Sequence, residues 1–220
     1  MPKLLSNRQN WIITKPYVLS SEDLLILENN PPVQAKDWSR KKEYKELKDR
    51  IREYYFDIQE ETCCYCRLQI NRGTENIEIE HIIDKNRRLD FIFEPLNLVI
   101  SCHKCNFTKS TKRVMYICPP EKQYSTDPTH FKILHGHFHK YFENIEFRAG
   151  SVYHSLTDVG EFTINKCGLD RFGLAEQREK VTMYEDDEII SDVIEIRESN
   201  NNSTKIDELI DKLKAMKKKS

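Results

Sequence analysis

Two matched cysteine pairs, Cys63-x-x-Cys66 and Cys102-x-x-Cys105, constrain this chain more than any other feature. A Cys-x-x-Cys turn lets both thiolates point at one ion, and two such turns supply the tetrahedral sulfur set of a structural zinc. Buried free cysteine is the plainer alternative, but it does not account for paired spacing. The stretch 67–101 between the pairs is longer than an ordinary zinc-ribbon loop, so a folded element has to sit inside it. Cys64 offers only a Cys-x-Cys bite and is left out of the ligand set; Cys118 and Cys167 have no nearby partner and read as packing residues.

With 38% hydrophobic and 32% charged residues over 220 positions, a compact motif with helical flanks suits the chain better than one large sandwich. The formal net charge of −1 leaves charge to be read segment by segment. Leu24-Leu25-Ile26-Leu27 falls far short of the roughly 20 apolar residues that span a bilayer. No secretory leader pattern is visible, so no membrane association and a reducing, cytoplasmic setting are expected.

The chain reads in four parts. Region 1–60 ends in an amphipathic helix from Asp37 or Ser39 to about Glu60, with Tyr44, Leu47, Ile51, Tyr54, Tyr55 and Ile58 on one face and basic residues on the other. Its basic face is either simply solvated or in contact with phosphate. Region 61–118 holds the sharp motifs. Ile77 to Ile82 alternates like a strand, Asn97 precedes the β-prone Leu98-Val99-Ile100, and a helix can begin near Cys105. Region 119–198 mixes short strands at Phe131–Ile133 and Ile145–Phe147 with a helical pattern from Gly160 towards Ile196. Region 199–220 is a polar linker and a one-faced helix from Thr204, which can dock on this chain or on another.

Glu80-His81, Asn97-Leu98 and Cys105-Asn106-x-x-Lys109 follow in order between and beside the cysteine pairs. This arrangement resembles the zinc-containing branch of the HNH endonucleases, over about residues 63–113. The resemblance implies an α+β fold: a ββα-metal core with two Cys-x-x-Cys zinc knuckles, flanked by N-terminal and C-terminal helical regions. It also implies a phosphodiesterase. His81 is then the candidate general base, a neutral imidazole able to take a proton from water. Glu80 and Asn106 offer hard oxygen ligands, suited to Mg2+ or Mn2+ rather than zinc. Asn97 is expected to bond backbone across the loop and orient His81, and Lys109 to sit near the phosphate. Two departures stand out: no proline follows His81, and the acid before it is Glu where Asp is commoner.

Each of these residues alone has a structural explanation; their joint order beside the cysteine pairs favours the nuclease. From Lys85 to Arg113 the basic residues Lys85, Arg87, Arg88, Lys104, Lys109, Lys112 and Arg113 face only Asp90 and Glu94, a local excess expected beside a phosphate track. Nucleic acid, DNA in preference to RNA, is the expected substrate. The competing reading is a catalytically silent zinc module that binds nucleic acid or protein.

Farther on, Gly150-x-x-Tyr153, Gly160-x-x-Thr163-Ile164, Leu169-Asp170-Arg171 and Leu174-Ala175-x-x-Arg178 look like HNH proteins of retron-associated and Septu-type bacterial anti-phage systems. That looser resemblance implies an ABC/SMC-like ATPase partner and a defence role. His130, His135, His137, His139 and His154 lack a matching ligand set and are read as polar strand or surface residues, and Tyr65 as packing on the first knuckle.

Overall fold

The computed structural model describes residues 11–72, 77–116, 123–148, 152–171 and 174 of the chain. Two compact units are distinguished: Met1–Glu146 with His154–Leu169, and Phe147–Tyr153 with Asp170–Ser220. The first contains all the sequence motifs of 63–113. Within the second, the Phe147 and Tyr153 rings meet edge to face at 5.1 Å.

The fold is α+β. Helix α1 (Ser21–Asn29) starts at a capping box in which Ser20 and Asp23 satisfy each other's backbone N–H groups. Asp23 also accepts from Arg50 at 2.5 Å and from the Tyr17 hydroxyl at 2.7 Å, tying α1 to the next helical segment. That segment differs from the single helix the apolar spacing suggests. It consists of α2 (Asp37–Arg40), a 3-10 turn at Lys42–Tyr44 and α3 (Lys45–Ile58), with Lys41 extended between them. Tertiary bonds override the periodicity here: Lys41 Nζ donates to the Pro31 carbonyl at 2.8 Å and the Tyr44 hydroxyl to that of Asn30. Asp37 closes the preceding turn by accepting from Val33 N at 2.9 Å. Leu47, Ile51 and Tyr55 then form the buried stripe of α3 at four-residue intervals.

Strands β1 (Ile77–His81) and β2 (Leu98–Cys102) pair antiparallel, with Glu78 opposite Ser101, Glu80 opposite Val99 and His81 opposite Leu98. The pleat puts Glu78, Glu80, Val99 and Ser101 on one face and Ile79, His81, Leu98 and Ile100 on the other. Helix α4 (His103–Lys109) follows β2 directly and ends at Ser110, whose φ of 49° turns the chain away. Helix α3 packs on both strands, and α4 on both strands and on α6.

Helix α5 (Tyr141–Asn144) leads into β3 (Ile145–Arg148), which pairs with β4 (Val152–Ser155). Helix α6 (Asp158–Cys167) begins at Thr157, which caps Gly160 N, and is stopped by Gly168 in the left-handed conformation. A Cβ at Gly160 would lie 2.0 Å from the Asn144 carbonyl oxygen, so only glycine allows α6 to approach α5 this closely.

Two readings of region 119–198 change. Phe131–Ile133 is not a strand: Phe131 makes one isolated bridge to Met115. His135, His137 and His139 do not alternate on a strand either, because the His135 carbonyl accepts from both Phe138 N and His139 N, which closes a turn. The helix continuing towards Ile196, Cys118 and the terminal helix from Thr204 lie outside the described residues. Among the described residues no helix is long and apolar enough to cross a membrane.

Candidate metal centre and adjoining polar site

The first cysteine pair lies on a turn closed by the Thr62–Gln69 bridge and by Cys63 N donating to the Leu68 carbonyl at 3.0 Å. Arg67, with φ of 55°, lets the chain fold back there. The second pair straddles the junction of β2 and α4, with Cys102 at the N-cap and Cys105 in the first turn. Gln59 joins the two parts from the end of α3. Its amide donates to the Ile100 carbonyl at 2.8 Å and accepts from Ile100 N at 2.7 Å.

The ligand atoms of Cys63, Cys66, Cys102 and Cys105 all lie within 4.8 Å of one another. Burial pushes the Cys63 thiol up, but hydrogen bonds from Cys102, Cys105, Cys64 and Cys66 outweigh it and hold Cys63 well below the usual thiol range. Four thiols this close cannot all ionise in a dry pocket without a cation to balance them. The donor set therefore fits a soft, tetrahedral metal ion. Cys64 is also buried but lies outside the quartet; its backbone N–H bonds the Ile100 carbonyl.

Beside this centre, Glu80 is 3% exposed. Its Oε1 lies 2.5 Å from Lys109 Nζ and accepts from the Tyr65 hydroxyl at 3.1 Å. Burial raises the Glu80 carboxyl above its ordinary value, and the ammonium of Lys109 works against that rise. Lys109, 1% exposed, donates in addition to the His81 carbonyl at 3.0 Å.

His81 faces away from Glu80, as neighbours on a strand must. Its Nε2 lies 3.0 Å from the Ile92 carbonyl, which can only accept, so the ring proton sits on Nε2 and Nδ1 is the acceptor. The Trp38 ring meets it edge to face at 4.5 Å. Burial lowers the His81 pKa to about 3, helped by the positive charge of Lys85. Trp38→Ala should therefore uncover the imidazole and raise its pKa towards the ordinary 6.5. An NMR titration of the His81 ring protons checks this; a ring still uncharged at pH 5 in the variant would show that Trp38 is not what shields it.

Asn97 holds the loop between the strands. Its Oδ1 accepts from Ile83 N at 2.7 Å, and its Nδ2 donates to the Ile83 and Phe91 carbonyls, each at 3.0 Å. The Tyr124 hydroxyl adds a bond to Oδ1 at 3.2 Å. Phe91 neighbours Ile92, whose carbonyl receives His81, so the clamp also fixes that acceptor. Asn106 is held elsewhere: its Nδ2 donates to Glu78 Oε2 at 2.5 Å, while Glu78 Oε1 lies 2.6 Å from His103 Nδ1. As they stand, Glu80 and Asn106 do not form a common ligand set, because each is engaged with a different partner.

The basic residues are distributed around the same strands and helix. Arg87 donates to the Thr111 carbonyl at 2.8 Å, Lys112 to that of Thr108 at 2.6 Å and Arg113 to that of Tyr116 at 2.7 Å. These neutral acceptors orient the cations without cancelling their charge. Arg88 lies over the Phe91 ring at 4.2 Å, with Asp90 3.6 Å away. Lys104 is exposed on α4 and Lys85 half-buried after β1. The histidines of the 135–139 turn are internal: His135 shares a 2.9 Å bond with the Tyr124 hydroxyl, and His137 Nε2 lies 3.0 Å from the Leu98 carbonyl.

Tyr65, Trp38, Gln59 and Glu78 were not singled out as site residues by sequence. Only Glu78 carried a usable signal, since its two-residue offset from Glu80 places both on one strand face. No family model, curated protein or solved structure matches the chain.

Proposed function

We propose that this chain is a metal-dependent endonuclease of the HNH type, cutting phosphodiester bonds in nucleic acid, with zinc held by Cys63, Cys66, Cys102 and Cys105 as its structural metal. One observation carries the reading. Motif residues spread over 63–109 gather on two paired strands and one helix, around a single thiol quartet.

The residues divide the work. Asn97 fixes the loop that presents His81. His81, neutral at physiological pH, takes on Nδ1 the proton of the attacking water as the new P–O bond forms and the bond to the leaving oxygen breaks. Lys109, Lys85, Arg87, Arg88, Lys104, Lys112 and Arg113 supply positive potential for the phosphate track. A bound Mg2+ or Mn2+ would supply charge neutralisation at the phosphate and the leaving oxygen. The preference for DNA, a role in anti-phage defence and an ABC/SMC-like ATPase partner belong to the same proposal. The defence role and the ATPase partner rest on the pattern from Gly150 to Arg178, part of which lies outside the described residues.

A silent zinc module remains the competing reading, because His81 is only 4% exposed and Lys109 is spent on a buried ion pair. Cleavage by the wild type and by His81→Ala at equal zinc content separates the two.

A further inference from the structure

We infer that the carboxylate which binds the hard divalent cation is Glu78, not Glu80, with Asn106 and Ser101 as its neighbouring oxygen donors. The inference rests on the nuclease reading for its purpose, but its geometry stands apart from it.

Glu78 and Glu80 share one face of β1, yet their situations are opposite. Glu80 is buried against an ammonium and a phenol, so an incoming cation would have to displace Lys109 from a dry site. Lys109 already occupies the place where a metal ion on Glu80 would sit. The Glu78 side chain is 30% exposed, and its two oxygens meet only neutral or exchangeable groups, the Asn106 amide and the His103 ring. A cation can reach it from solvent.

Ser101 provides an independent sign. It stands directly across the ladder from Glu78, so its side chain lies on the same face. It is fully buried, and its Oγ has no hydrogen-bond partner. A buried hydroxyl left unpaired costs about 1–3 kcal/mol, and such groups call for a water or an ion to complete them. Asn106 fits the same scheme. Turning its amide by half a rotation replaces Nδ2 with Oδ1 beside Glu78, converting a donor to the carboxylate into a second ligand oxygen.

A carboxylate, an amide oxygen and a hydroxyl make a hard donor set with a single negative charge. That suits Mg2+ or Mn2+ retaining several waters, held weakly until a substrate phosphate completes the shell. The site on α4 is also beside exposed Lys104, which can meet that phosphate.

The test is Mn2+ binding to the zinc-loaded full chain, followed by electron paramagnetic resonance of the free ion, with no nucleic acid present. The wild type should bind Mn2+, Glu78→Gln and Asn106→Ala should each weaken it by about tenfold or more, and Glu80→Gln should keep wild-type affinity. Equal zinc content and equal far-UV circular dichroism certify each variant as folded; Asn106→Ala decides if a Glu variant fails that check. Loss of binding in Glu80→Gln with retention in Glu78→Gln, or no binding by the wild type, overturns the assignment. The outcomes are separable from cleavage: Mn2+ bound through Glu78 without any nuclease activity would remove the nuclease reading and leave this site standing.

Discussion

Cys105→Ser is expected to release the bound zinc and unfold the core around β1, β2 and α4. Cys105 is fully buried in the first turn of α4, and its thiol joins the knuckle at 63–66 to the helix. Structural zinc contributes apparent binding free energies of about 10–16 kcal/mol in small zinc domains, far more than a typical domain's net stability. A serine at this position cannot replace the thiolate, and the three remaining thiols would be left crowded without their balancing ion. Metal analysis by plasma emission together with thermal unfolding checks this. A variant that retains the wild-type melting temperature without zinc would show that the quartet is a group of packed thiols and nothing more.

The second large effect is expected at Lys109→Met. Removing the ammonium leaves the Glu80 carboxylate buried with only the Tyr65 hydroxyl on that oxygen. Breaking a buried pair in this way costs about 3–5 kcal/mol, because the surviving charge has lost its partner while its desolvation remains. The Glu80 carboxyl, already raised by burial, should rise further and take up a proton. Pairing the change with Glu80→Gln removes the stranded charge, so the double variant should recover a large part of the loss. Urea unfolding of the two singles and the double measures this coupling. A single variant within about 0.5 kcal/mol of wild type, the scatter of an ordinary surface change, would contradict the buried pair.

The parts of this molecule that depend on short-range spacing were readable from its residues. The two Cys-x-x-Cys turns converge, and Ile77–His81 and Leu98–Cys102 form strands. A helix does begin at the second cysteine pair, and Leu47, Ile51 and Tyr55 do lie on one buried helical face. What was not readable depends on partners distant in the chain. The break at Lys41 follows from carbonyls at Asn30 and Pro31, and the burial of His81 from Trp38. Tyr65 looked like packing because nothing adjacent to it announces the carboxylate of Glu80. The histidines at 135, 137 and 139 alternate in sequence like a strand, but hydrogen bonds to the His135 carbonyl bend them into a turn. Glu80 and Asn106 share a motif, yet the pleat and the start of α4 deliver Asn106 to Glu78 instead.

That last contrast bears on the chemistry. If Glu78 holds the cation, Glu80 and Lys109 form a buried strut between β1 and α4, and Lys109 acts on the phosphate only through its field. His81 lies on the opposite face of the strand, at the end that meets the Asn97 loop. An attacking water would then be approached by His81 from the loop side while the cation works from the helix side. The Trp38 ring against His81 marks the place where access must open for that to happen.

The central claim is that His81 makes this chain a nuclease, and one comparison tests it most directly. Supercoiled plasmid DNA and a single-stranded RNA are each incubated with zinc-loaded wild type and with His81→Ala of equal zinc content, in Mg2+ or Mn2+. The expected result is metal-dependent cleavage by the wild type, with the variant slower by about 10²–10⁴-fold, the usual contribution of a positioned base. Equal cleavage by the two proteins would contradict the claim outright.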